Sequence, residues 1–326
     1  MAPISKMKKN QSMYINSMGN YVPSARITNE YFENLNGLEP GWILQRTGII
    51  SRSKAASDEG ADSMALAAID DALGNLPYAI KDVDLIVAAC YAAYDTVATP
   101  AHVAQQHYDI SGAKAVYVSA ACSSFINGLE VIEGYFASGK AKRALLICTE
   151  HNTYYSNEKD HKAGHLWGDA AVAFFISKER ESENDVEILD VFTEGLGNVG
   201  KGPEGVKLRP KEGGIMMPDG RDVFIHACKY MIYALKKSLG HTGLKIEDIN
   251  KLICHQANKR IVAQVAHQLD KPLDDFLNNI ETLGNTGSAS AALVLTQNLD
   301  KFKKGDKAAL MVFGGGYSCG CFIVRF

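Results

Sequence analysis

Ser119 to Glu150 reads SAACSSFINGLEVIEGYFASGKAKRALLICTE, and Asn285 to Gly316 reads NTGSASAALVLTQNLDKFKKGDKAALMVFGGG. Both stretches run from small residues into an apolar helix, then a Gly-Lys or Gly-Asp turn, then a short apolar strand. Short apolar runs bounded by turns are the signature of strands buried on both faces. The pairing extends upstream, where VDLIV from Val83, with its neighbour Asp82, echoes EDINKLIC (Glu247 to Cys254). Two copies are too few for a solenoid and predict a duplicated α/β unit with a site between the copies. Chance likeness between α/β units is the plainer alternative.

Outward from these stretches, strand-like and helix-like segments alternate, as in an α/β layered fold. Helical spacing runs through ADSMALAAIDDALGNL (Ala61 to Leu76) and VFIHACKYMIYALKKSLG (Val223 to Gly240), each ending near a glycine. The charged run SKERESENDV (Ser177 to Val186) marks the junction, so residues 1–180 are expected to form one half and 181–326 the other. The chain has 326 residues, 46% hydrophobic and 22% charged, with a net charge of −3. That is globular composition, without the field that draws nucleic acid or anionic membranes. Lys6, Lys8 and Lys9 form a small basic cluster expected to be a solvated tail. No stretch has the ~20 apolar residues of a membrane span, and no apolar run follows the first lysines as in a signal peptide. The seven cysteines include no CxxC pair and several sit inside apolar runs. They read as reduced thiols of a cytoplasmic protein.

One of the seven stands apart. Cys122, in VSAACSSFING, lies where a strand gives way to a helix. A helix N-terminus favours thiolate over thiol, so Cys122 is expected to be an activated nucleophile. A small buried core cysteine fits the local context equally well. His255, in KLICHQANKRI, closes an apolar strand, where α/β folds place ligands, although a lone histidine there is more often structural. Asn285, in ETLGNTGSASAA, is either a helix cap or an amide donor. The glycines of GGGYSCG (Gly314 to Gly320) let backbone N–H groups approach a ligand, but the spacing is not GxGxxG and no dinucleotide site is expected. His161 and His165 lie at helical spacing without the glutamate of HExxH, so no metal is expected. Met216, Met217, Tyr230 and Tyr233 read as core.

Together these groups suit acyl chemistry. A cysteine takes an acyl group from a thioester, and a neutral histidine with an asparagine donates to an enolate oxygen. The backbone N–H groups of Cys122 and the glycine loop suit a tetrahedral oxyanion. A papain-like protease uses the same residue types, but with a different sequence around its cysteine.

WILQRTGI (Trp42 to Ile49), AACSSFINGL, WGDAAVAFF (Trp167 to Phe175), MPDGRDVF (Met217 to Phe224), HQANKRI, LGNTGSAS and the closing FGGGYSCGCFIVRF occur in this order. They resemble the blocks of the ketoacyl-acyl-carrier-protein synthase III family of the thiolase superfamily, over nearly the whole chain. The resemblance implies a five-layered αβαβα fold of two similar halves, a homodimer, and a site reached by a narrow pantetheine tunnel. It implies Cys122 as acyl nucleophile, His255 and Asn285 as enolate stabilisers, and Gly315 as an oxyanion donor beside Cys122. It sets Trp42, Arg46, Phe224, Asn258 and Thr99 near substrate and Arg260 at the acyl carrier protein. Coenzyme A or carrier-protein thioesters are then substrates, and no cofactor is implied.

Two departures bear on the acyl group. The arginine that with a tryptophan clamps the adenine of coenzyme A in well-known members falls near Asp160, where there is none. Thr99 stands before Pro100, where a bulky aromatic from the partner subunit often closes the acyl pocket, so donors longer than acetyl are expected. The leading expectation is decarboxylative condensation of an acyl thioester with malonyl-carrier protein in fatty acid biosynthesis. The alternatives are a secondary-metabolism ketosynthase forming resorcinol, cyclohexanedione or polyketide products, a pure acyltransferase, which Asn285 argues against, and a noncatalytic subunit, which would not need the three residues together.

Overall fold

The computed structural model describes residues 12–326; the lysine cluster at Lys6, Lys8 and Lys9 lies outside them. Among the described residues, nine strands make the main sheet. We number them β1 (Met13–Tyr21), β2 (Leu85–Ala89), β3 (Lys114–Val118), β4 (Arg143–Glu150), β5 (Ala170–Ser177), β6 (Val186–Gly195), β7 (Lys251–Cys254), β8 (Lys307–Gly314) and β9 (Ser318–Arg325). Six helices pack on them: α1 (Ala61–Leu73), α2 (Pro100–His107), α3 (Ser124–Ala137), α4 (Gly220–Thr242), α5 (Lys259–Gln268) and α6 (Ser290–Thr296).

The strand order is β7-β8-β9-β6-β1-β5-β4-β2-β3. Reading outward from the β1·β6 seam, each side has the same pattern. On one side β5 and β4 are antiparallel to their inner neighbours and β2 is parallel to β4. On the other, β9 and β8 are antiparallel to theirs and β7 is parallel to β8. β3 extends the first side in parallel with β2; its counterpart is the single parallel bridge Leu252–Phe276 beside β7. The seam itself is short, pairing Met13, Tyr14 and Ile15 with Ile188, Glu187 and Val186.

Alternation along the strands separates the layers, because successive side chains point to opposite faces. Leu146 and Cys148 of β4 and Leu310 and Val312 of β8 share one core with Phe125, Leu129 and Leu293 of α3 and α6. Leu145 and Ile147 face a second core with Met64 and Ile69 of α1. Ala309 and Met311 face a third with Met231 and Leu235 of α4 and Val262 of α5. The layers are therefore α1/α2, sheet, α3/α6, sheet, α4/α5, the expected five-layered αβαβα arrangement. α3 can lie this deep because Gly128 presents no side chain; a Cβ there would stand 2.7 Å from Leu146 Cδ1 and 2.9 Å from Ala89 Cβ.

Candidate active site

Cys122 sits on the turn between β3 and α3. The residue before it, Ala121, has φ +51°, a left-handed conformation that costs a non-glycine residue energy and is kept only when its surroundings impose it. Those surroundings are visible. Ala120 N–H donates to Ser124 Oγ at 2.8 Å, Ser124 Oγ donates to Ala121 O at 2.6 Å, and Ser123 Oγ donates to Ala120 O at 2.7 Å. From the other half, Ser318 Oγ lies 2.5 Å from Ser123 Oγ. Gly314, at the end of β8, packs directly on this turn: a Cβ there would lie 2.9 Å from both Ala120 O and Ser123 N.

His255 follows β7, with its N–H donating to Met311 O of β8 at 2.7 Å. Its Nδ1 lies 2.6 Å from Ser290 Oγ, and Gln256 N–H donates to the same oxygen at 3.3 Å. The Ser290 hydroxyl can accept from Gln256 N–H while donating to Nδ1, and in that arrangement the imidazole proton resides on Nε2. This tautomer is assigned from the hydrogen-bond network. Burial holds His255 down at about 4, so the ring is neutral at pH 7. Asn285 is held on both sides of its peptide, its N–H donating to Leu166 O at 2.8 Å and its carbonyl accepting from Gly168 N at 3.0 Å. Its Oδ1 accepts from Gly287 N at 3.0 Å, which leaves Nδ2 as the free donor.

These elements converge. Cys122, His255, Asn285 and Gly315 line one cavity of about 50 Å³, with Phe313 and Met217. A mouth of about 360 Å³, sharing Leu166 and Met217 with it, is lined by Trp42, Arg46, Phe224, Asn258 and Arg260, together with His165, Lys162 and Arg221. The Arg46 guanidinium lies over the Trp42 ring at 4.2 Å. Asn258 is engaged within the protein, capping α5 through Oδ1 to Arg260 N at 2.8 Å and donating to Arg46 O at 3.0 Å. It fastens the Trp42–Thr47 helix to α5, so both sides of the mouth are held together.

Two expectations need correcting. The helix terminus does not depress the Cys122 thiol: burial, and then the Glu150 carboxylate, push it up to about 12. Only 7% of the residue is exposed, and desolvation of a thiolate outweighs the half-charge of a helix end. Met217 belongs to the channel, where it joins mouth and cavity, besides packing against the core. Thr99, whose expected place is at the acyl pocket of a partner subunit, is buried at the start of α2 with Oγ1 3.0 Å from His102 Nδ1. Sequence reasoning passed over Ser290, Tyr91 and Glu150. An acid closing the otherwise apolar run ALLICTE was an available signal for the last.

The family model for 3-oxoacyl-[acyl-carrier-protein (ACP)] synthase III matches residues 117–195, and the model of its C-terminal part matches 239–326. The beta-ketoacyl-[acyl-carrier-protein] synthase III of Fusobacterium nucleatum is 32% identical, over 97% of this chain and 99% of that one. The chain belongs to the 3-oxoacyl-[acyl-carrier-protein] synthase III family. It is accordingly a ketosynthase of the acyltransferase type, acting in fatty acid synthesis. The crystal structure of 3-oxoacyl-[acyl-carrier-protein] synthase III from Aquifex aeolicus superposes with a TM-score of 0.88 at 30% identity, covering 96% of this chain and all of that one. The priming β-ketosynthase of the R1128 polyketide pathway superposes at 0.87 with 25% identity, over 99% of both chains.

Proposed function

We propose that Cys122 carries the acyl group and that His255 and Asn285 stabilise the enolate formed from malonyl-carrier protein. The supporting observation is their meeting in one small cavity, with His255 neutral and both amide and imidazole donors unspent. In the first step the sulfur attacks the thioester carbon and the donor's thiol leaves with the cysteine proton. In the second, the bond between the malonyl carboxylate and its α-carbon breaks, carbon dioxide departs, and the electron pair passes into an enolate. His255 Nε2–H and Asn285 Nδ2 donate to its oxygen. The α-carbon then attacks the acyl carbonyl, the N–H groups of Cys122 and Gly315 hold the oxyanion, and collapse expels the Cys122 sulfur, which regains a proton from solvent, to give a 3-ketoacyl-carrier protein. Each such donor is worth about 10²–10³ in rate. The thioesters are substrates, and the scheme uses no resident cofactor.

The mouth suits an anionic phosphopantetheine arm. Arg46, Lys162, Arg221 and Arg260 put four cations around it, and Arg260 at the start of α5 is the proposed contact for acyl carrier protein. Lys162 offers charge to a phosphate near the position of the missing arginine, so donors on coenzyme A and on carrier protein both fit. No helix among the described residues is long and apolar enough to cross a membrane. A cytoplasmic homodimer is part of this proposal. β3 ends the sheet, so one of its edges is unpaired among the described residues, and Tyr94, Val97 and Tyr154 are exposed nearby at 69%, 84% and 59%. Thr99 then reaches an acyl group only across the dimer interface.

The test is condensation by purified protein with malonyl-carrier protein. Cys122→Ala is expected to abolish 3-ketoacyl product, and undiminished product would overturn the assignment. The likeness to the R1128 priming enzyme favours one second reading, a starter-unit ketosynthase accepting longer acyl groups. Mass shifts on Cys122 after incubation with a panel of acyl-CoA and acyl-carrier donors separate the two; exclusive labelling by acetyl-CoA rejects the second.

A further inference from the structure

Glu150 ends β4 with its side chain fully buried, and the condensation as written gives it nothing to do. Its carboxylate accepts from Ala92 N–H at 2.8 Å, Tyr91 N–H at 3.3 Å, Ser288 N–H at 3.3 Å and the Ser288 hydroxyl. Tyr91 and Ala92 follow β2, whereas Ser288 lies three residues beyond Asn285. One carboxyl group thus ties the asparagine loop of the second half to a strand end of the first. The packing is close: a Cβ on Gly287, at φ +62°, would stand 2.9 Å from Glu150 Cγ and 2.7 Å from Tyr91 Oη. Tyr91 Oη is buried without a hydrogen bond of ordinary geometry and lies within interaction range of both Cys122 and Glu150.

Burial raises Glu150 to about 8 against the pull of those donors. The ionisable groups that feel its charge are Cys90 and Tyr91 after β2, Tyr117 on β3, Cys148 on its own strand and Cys122. The loop Gly284 to Ser290 contributes the Ser288 hydroxyl and no charged residue.

We propose that Glu150 is a positioning residue of the condensation, holding the Asn285 loop in place and setting through its charge how readily Cys122 becomes a thiolate. The proposal rests on Cys122 as the acyl carrier. At pH 7 the carboxyl keeps its proton, and the sulfur's charge is unopposed when its own proton passes to the departing thiol. Once Glu150 ionises, two like charges share a dry site and the thiolate is disfavoured.

The experiment is alkylation of the full chain by iodoacetamide from pH 6 to pH 10, read as the adduct on the Cys122 peptide. In the wild type the rate is expected to rise in two steps, with ionisation of Glu150 flattening it above pH 8. Glu150→Gln keeps the shape without the charge. It is expected to match the wild type at pH 6.5 and react several-fold to about tenfold faster at pH 9, a shift of up to one pKa unit. Ser288→Ala removes a donor that favours the charged form, and moves the wild-type inflection to higher pH. A merely structural carboxyl would give profiles offset equally at every pH, which would overturn the proposal. Should Glu150→Gln fail to fold, a single titration step in the wild type would do the same. Condensation surviving in Cys122→Ala would instead defeat the reading beneath it, and the alkylation profile would still report on the carboxyl.

Discussion

Burial favours the uncharged forms of four groups around the cavity and its mouth by shifting acids up and bases down. Cys122 and Glu150 keep protons they would lose more readily in water, and His255 and His165 decline protons they would take more readily there. For the histidines this is a stability statement. Both are held at about 4, mainly by burial, against 6.5 in the unfolded chain. Between those values the unfolded state binds more protons, so stability falls as pH drops through 6.5 toward 4. At pH 5 each histidine is expected to have removed about 2 kcal/mol. Urea unfolding at pH 7 and pH 5 checks this: His165→Gln should lose about 2 kcal/mol less than the wild type on acidification. Equal losses would show that His165 is accessible to protons in the folded state. At this scale Cys122, His255 and Asn285 were legible, because each lies in a short run whose context sets it apart. The direction of the thiol's shift was not. It is set first by burial and then by Glu150, against a lowering hydrogen bond from Tyr91, and these groups approach from segments remote in sequence.

The elements carry the site by close backbone contact, and here the glycines of the closing hairpin acquire a definite purpose. Gly314 ends β8 against the turn that holds Cys122, with no space for a methyl group and only backbone to displace. Gly314→Ala is expected to push the nucleophile turn away by a few tenths of an ångström. Reactions that need aligned groups lose about 10²-fold for larger displacements of ~1 Å. Condensation should therefore fall by about tenfold, with a smaller change in melting temperature. Retained activity would show that the turn accommodates the methyl group. The elements themselves followed from the apolar runs, since strands buried on both faces and helices with a buried stripe have different lengths and periods. β7 is only four residues long, and the counterpart of β3 shrinks to one bridge at Phe276, so the repeat is less even than the two quoted stretches suggest. Pairing of that kind is decided by the neighbouring strand, which no local pattern records.

At the scale of the whole molecule, the seam between β1 and β6 joins two arrays of strands, and the chemistry is divided between them. Cys122, the proposed nucleophile, stands on the first array; His255, Asn285 and the glycine loop stand on the second. The proposed dimer extends this by a further edge. Sedimentation is expected to give a species of twice the chain mass. The double variant Tyr94→Asp, Val97→Asp should shift it to the single chain, because burying a charge without a partner at such a contact is costly. A dimer unchanged by both substitutions would place the interface elsewhere. Composition and periodicity spoke to the layers but not to this surface, because an exposed tyrosine or valine reads the same whether or not another chain covers it.

The join at Met217 also governs traffic. The space at the sulfur is about 50 Å³ and opens there onto the mouth. An arm long enough to bring a thioester to Cys122 fills the passage, so a second cannot enter beside it. With Cys122 carrying the acyl group as proposed, the two substrates queue: the emptied donor backs out before the extender threads in. Such an enzyme turns over by alternation, with parallel lines in double-reciprocal plots. An excess of either substrate slows it by occupying the passage on the other's turn.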